Sequence, residues 1–185
     1  MAYLGRWALA VLLSCCAFAD LRAQQPVNPD AKVLQDYQER IKKYIEIHKK
    51  ADVPKMNETK DPAEIKRAQE ALAKAVRDAR PNAKQGEIFT PEIAKKLRSL
   101  MQPEVKGPGT KETRQAIKED QPAGVSLKVN ARYPDDQPLP TVPPNILASL
   151  PKLPEQLEYR IVDTSLILRD VTANLIVDFI PGAIR

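Results

Sequence analysis

Few side chains in this 185-residue sequence are suited to chemistry, and those few stand apart. His48 is the single histidine, and the two cysteines, Cys15 and Cys16, are adjacent near the start. Acyl transfer needs a nucleophile beside a base, and a transition-metal site needs several His or Cys ligands. One isolated histidine meets neither requirement. His48 therefore reads as a residue in the last turn of a helix, where the dipole favours a cation. The sequence carries no His-Glu-x-x-His pair, nucleophile elbow, phosphate loop or dinucleotide fingerprint. Gly107-Pro108-Gly109 lacks the lysine and hydroxyl of a phosphate loop and reads as a turn. No catalytic, cofactor-binding or metal-ligating residue is assigned, and no cofactor is expected.

Carboxylates are the remaining reactive groups. Asp135 and Asp136 sit in a proline-flanked loop, and Asp163, Asp170 and Asp178 fall in the last thirty residues. Two carboxyls at a fixed separation can hydrolyse a glycoside or hold calcium. A hydrolase of envelope polysaccharide using Asp135, Asp136 or Asp170 is the enzymatic alternative. Against it, sugar-binding clefts are rich in Trp and Tyr, whereas the chain beyond residue 23 has six aromatics and no Trp. The plainer reading makes these acids turn residues, with Asp178 paired to Arg169 across two strands. Asp170 then lies opposite Tyr159 on an apolar face.

The elements that would position these groups follow from apolar spacing. Val33, Leu34, Tyr37, Ile41, Tyr44, Ile45 and His48 recur at three and four, one face of a helix capped by Asp30. Asp61-Pro62-Ala63-Glu64 opens a second helix, whose apolar line is Ile65, Ala68, Leu72, Ala75, Val76 and Ala79. The pair predicts an antiparallel helical hairpin. Thr90-Pro91-Glu92 starts a third helix with Ile93, Leu97, Leu100 and Met101 inside, after which Pro103 and Gly107-Pro108-Gly109 break the chain. A fourth runs over about Lys111 to Glu119, anchored by Ile117.

Beyond Asp120 the period changes to two. Val125, Leu127, Val129, Ala131 and Tyr133 alternate with polar residues, as a half-buried strand does. Seven prolines between Pro134 and Pro154 predict an extended arm with one helical turn at Asn145 to Leu150. Leu139, Val142, Ile146, Leu147, Leu150 and Leu153 make it too apolar for a free linker, so it should wrap over the sheet. Leu157–Val162, Leu166–Val171 and Leu175–Ile180 predict a three-strand meander with turns at Thr164-Ser165 and Ala173-Asn174. One face then collects Leu157, Tyr159, Ile161, Leu166, Leu168, Leu175, Val177 and Phe179. The other carries the charged row Arg160, Arg169 and Asp178 among Val162, Ile167, Val171, Ile176 and Ile180. Five aliphatics beside three charges suit a covered surface, so these eight residues are the candidate interaction face.

The predicted class is α+β: an N-terminal helical hairpin plus short helices, then a small antiparallel sheet (a three-strand meander plus one strand) with a proline-rich arm. Residues 30–120 form the helical region and 121–185 the arm and sheet.

The first residues read as an export signal. A short basic start ending at Arg6 is followed by the apolar run Trp7–Ala19, shorter than the roughly 20 residues of a spanning helix. Cleavage fits after Ala19 or after Ala23; the polar Asp20-Leu21-Arg22 favours Ala23, leaving a flexible leader over 24–29. A rival reading takes Leu12-Leu13-Ser14-Cys15 as a lipobox, with lipidated Cys15 as an envelope anchor. The expected location is periplasmic or secreted. No later stretch spans a membrane. Removing residues 1–23 takes away both cysteines together with Arg6, Arg22 and Asp20, and leaves a net charge of +4. Such a mild, evenly spread charge excludes the basic stripe of a nucleic-acid binder. About 160 residues without a disulfide must be stabilised by packing alone.

The run Val142-Pro143-Pro144-Asn145-Ile146-Leu147 through Leu150-Pro151-Lys152-Leu153-Pro154-Glu155, continuing into Leu157-Glu158-Tyr159-Arg160-Ile161, Leu166–Asp170 and Leu175–Asp178, resembles uncharacterised exported proteins of Gram-negative bacteria. The meander by itself is similar to the terminal hairpin of small periplasmic proteins, including the nickel and cobalt homeostasis type. This resemblance covers about a quarter of the chain as an apolar pattern. It implies a small, periplasmic, non-catalytic protein, and it carries over no metal ligand, since the region holds no histidine. The expectation is a non-enzymatic binding or structural protein acting through a protein-interaction surface. A weak binder of anionic polymer or lipid surfaces is a further alternative.

Overall fold

A computed structural model describes residues 28–51, 60–107, 110–119, 121–122 and 124–184. The expected export segment, with Cys15 and both cleavage sites, lies outside the described residues. The element order is α1 Pro29–Lys50, α2 Pro62–Ala79, α3 Pro91–Lys106, α4 Lys111–Glu119, α5 Pro144–Ser149, β1 Leu157–Val162, β2 Ser165–Asp170 and β3 Leu175–Ile180. The class is α+β.

Helix boundaries follow local chemistry, with two corrections. Asp61 and Thr90 cap α2 and α3 as expected, each with proline at the first turn. In α1 the cap is Asn28, not Asp30: its side chain accepts from the Asp30 amide at 3.0 Å, and Pro29 opens the helix. Asp30 is left to take Lys96 of α3 at 2.6 Å. The second correction is Pro103, which interrupts α3 without ending it. Proline lacks an N–H and crowds the carbonyl four residues back. The helix continues because Met101 and Val105 are both buried on its inner side, and the Gly107 amide closes the end on Pro103 O at 3.1 Å. In α2 the buried line is Ala68, Leu72, Ala73 and Val76, with Ile65 and Ala79 exposed at its ends.

The three strands pair antiparallel in the order β1-β2-β3. The first turn is Asp163-Thr164, one residue earlier than expected, and the second spans Val171–Asn174. Asp163 and Asn174 take φ of 53° and 51°, a left-handed region that Asp and Asn tolerate better than Thr or Ser. Leu157 therefore faces Asp170, and Tyr159 faces Leu168. This slip of two residues preserves which side chains share a face. The β2–β3 pairing differs more: Arg169 faces Ile176, but Leu168 faces Asp178, so a bulge leaves Val177 unpaired. Past the bulge every side chain changes sides. Asp178 and Ile180 turn to the helices, and Phe179 turns to the opposite face.

Val125–Tyr133 does not form the fourth strand. Asn130 at φ 63°, with an Ala131 amide bond back to Lys128 O, turns the chain. Only Arg132 bridges to β3, opposite Leu175. One apolar cluster joins the inner sides of all five helices to one face of the sheet, with Ile88 and Phe89 of the α2–α3 loop inside it. A second, smaller cluster of Tyr133, Val162 and Ile167, flanked by Val125, Leu127 and Phe179, lies on the other face.

Candidate functional site

Two carboxylates lie fully buried in the helix-facing side of the sheet. Asp178, moved there by the bulge, accepts backbone amides from Gly86 at 3.0 Å and from Ile88 and Phe89 at 2.8 Å each. Its own neighbour Phe179 supplies a fourth amide at 2.8 Å. No cation among the described residues forms an ion pair with it. Gly86 at φ 86° gives the loop the left-handed step it needs to aim these amides inward. This carboxylate thus fastens the α2–α3 loop to β3, and its expected pairing with Arg169 is overturned.

Asp170 accepts the Tyr44 hydroxyl and the Ala173 amide, both at 2.7 Å. His48 Nε2 lies 3.4 Å from Oδ2, the oxygen that Tyr44 bonds, but makes no hydrogen bond among the described residues. The expected Tyr159 contact is replaced. Tyr159 donates to Pro151 O at 3.1 Å and takes its second bond, at 2.8 Å, from the Tyr37 hydroxyl. Burial, with the neighbouring Asp170 charge adding to it, raises Tyr44 far above the ordinary phenol range. Burial likewise raises Tyr37 and Tyr159. These phenols remain neutral donors wherever the chain stays folded.

The candidate interaction face is only partly assembled as expected. Arg160, Val162, Ile167, Arg169 and Ile176 share it, whereas Asp178 and Ile180 point the other way and exposed Val171 sits in a turn. Glu158 takes the place expected of Asp178, held between Arg160 and Arg169. Its burial alone would raise its pKa, but the hydrogen bonds and charges of the two arginines outweigh that and hold it below the usual carboxylate value. Arg169 also clasps Asn174 Oδ1 with two donors, at 3.0 and 2.8 Å, and lies 5.9 Å from the Tyr133 ring centre. The chain itself covers this face. Val125, Leu127 and Tyr133 pack on it, and residues 130–133 exchange three backbone hydrogen bonds with Asn174 and Ile176.

An open apolar surface lies along the proline-rich arm. The arm follows β1, with Arg160 donating to Pro140 O at 3.3 Å, and α5 packs against α3. Ile146 and Leu150 are buried as expected, but Leu147 is 48% exposed and Leu139 40%. Between arm and β1 runs a groove of about 680 Å³, walled by Val142, Leu147, Leu150, Leu153 and Leu157, with Lys152 and Arg160 at its polar margin. Lys152 also borders a depression of about 290 Å³ over Tyr37, Ile41 and Ile45 of α1, where Lys42 stands. The sequence marked these leucines as apolar, but their exposure depends on how α5 rolls on α3.

The acids considered for hydrolysis are not brought together. Asp135 is exposed and holds Arg132 and Asn174, Asp136 is exposed, and Asp170 is sealed on the other side of the sheet. Among the described residues no group of three His, Cys, Asp or Glu gathers as metal ligands, and no helix is long and apolar enough to cross a membrane. No protein family, curated protein or solved structure matches this chain.

Proposed function

We propose that this chain is an exported, non-enzymatic binding protein that holds a segment of a partner protein in the groove between its proline-rich arm and β1. The observation that carries this reading is the groove itself. The chain covers both faces of its sheet, yet leaves about 680 Å³ of mostly apolar space with Leu147 half exposed at its margin. That size and lining suit an inserted side chain or short extended segment. Charge indicates the partner's chemistry: Lys152 and Lys42 are exposed and make no ion pair among the described residues, whereas Glu158 is already held by two arginines. An apolar residue beside an Asp or Glu complements that arrangement. Export is supported by the basic start, short apolar run and polar cleavage region of residues 1–23, and by a described core that holds together without cysteine.

Peptide-display selection on the full chain tests the reading. Selected peptides should carry an apolar residue flanked by Asp or Glu. Binding should weaken about tenfold or more in Leu147→Asp and in Lys152→Glu, since loss of one well-placed contact is worth roughly 1.4 kcal/mol. Both positions are at the surface, so the fold is retained. Peptides without acids, or affinity indifferent to both substitutions, would contradict it.

A further inference from the structure

A smaller cavity lies away from the arm, between α1 and the chain that follows α2. Its volume is about 140 Å³, and it is lined by Asp36, Arg40, Lys43, Tyr44, Arg80 and Glu87 together with two isoleucines. The side chain of Arg80 is 4% exposed, its guanidinium stacked 5.2 Å from the centre of the Tyr44 ring. Its Nη2 donates to Glu87 at 3.2 Å, but Nη1 is buried without an acceptor among the described residues. A buried guanidinium nitrogen left without a partner is costly, and a bound ion or water is the usual resolution. Arg40 is engaged through two of its nitrogens, with Asp36 through Nε at 3.0 Å and with Glu87 O through Nη1 at 2.6 Å. Lys43 is exposed and makes no ion pair among the described residues. Three cations thus face two acids, and Glu87, whose side chain is 47% exposed, is the acid free to turn outward.

We infer that this cavity binds a small oxyanion of the phosphate type, held by Arg80 Nη1 and Lys43 Nζ once the Glu87 carboxylate swings into solvent. The space accommodates one tetrahedral anion and a water or two, taking roughly 30 Å³ for each water. Stacking on Tyr44 keeps the guanidinium fork in place, so little side-chain freedom is lost on binding. Glu87 then acts as an internal competitor, occupying one donor of Arg80 whenever the anion is absent.

Titration with inorganic phosphate at constant ionic strength, with chloride as the reference salt, tests the assignment on the full chain. Phosphate should bind in preference to chloride. Lys43→Gln should weaken it about tenfold and Glu87→Gln should tighten it, both at exposed positions that do not threaten folding. Vesicles containing phosphatidic acid form a second arm. If they bind and inorganic phosphate does not, and Lys43→Gln abolishes that binding, the phosphate belongs to a lipid headgroup. Phosphate no better than chloride with no vesicle binding, or any binding unchanged in Lys43→Gln and Glu87→Gln, would overturn the inference.

Discussion

Replacing Asp178 with alanine should lower the stability of the folded chain by about 3–5 kcal/mol, the range for leaving several buried donors unpaired. Two amides, those of Ile88 and Phe89, are fully buried, and that of Gly86 is partly so. Without the carboxylate they have neither a partner nor water. The damage should spread locally, because the same loop delivers Ile88 and Phe89 to the core, where Phe89 stacks on Tyr37 at 5.8 Å. Asp178→Asn keeps one acceptor oxygen and should cost about half as much. Denaturant unfolding of the three proteins measures this directly. A loss below about 1 kcal/mol in the alanine variant would mean that the α2–α3 loop is not held by β3.

The second large effect is expected at Ile167, in the middle of the covered face. Ile167→Ala should destabilise the chain by about 2–4 kcal/mol, the usual range for a fully buried aliphatic. Ile167 is fully buried against Tyr133 and Val162, with Val125, Leu127 and Phe179 around them. All of these belong to the same chain, so the loss should be independent of protein concentration. A face covered by a partner gives the opposite pattern, with a small effect in dilute monomer and a larger one as concentration rises.

Much of the architecture is legible in the sequence because it rests on local chemistry. Asp61-Pro62 and Thr90-Pro91 mark helix starts, and the period-three and period-four apolar lines of α1 and α3 fall on their buried sides. The departures have long-range causes. Pro103 ends a helix in isolation, but buried Met101 and Val105 hold one more turn in place. The bulge beside Arg169 is set by the fit of β3 to β2 and to the α2–α3 loop, and no residue of Leu-Ile-Val-Asp-Phe-Ile announces it. Strict alternation therefore puts Asp178 on the face opposite to the one it occupies. Asp170 is the better signal: alternation puts this acid on an apolar face, where it requires a buried partner, and Tyr44 is that partner. The arm groove depends on which leucines α5 leaves outside, and the oxyanion cavity on Arg80 folding back over Tyr44. Neither carries a local sequence pattern.

Amide hydrogen exchange in dilute, monomeric protein tests most directly whether the chain covers its own sheet and so leaves the arm groove as the open surface. The amides of Asn130, Tyr133 and Ile176, which link the 130–133 segment to β3, should be strongly protected, to a degree close to those within β2. Near-unprotected exchange at these three positions, with β2 still protected, would contradict this and return the face of Ile167 and Arg169 to a partner.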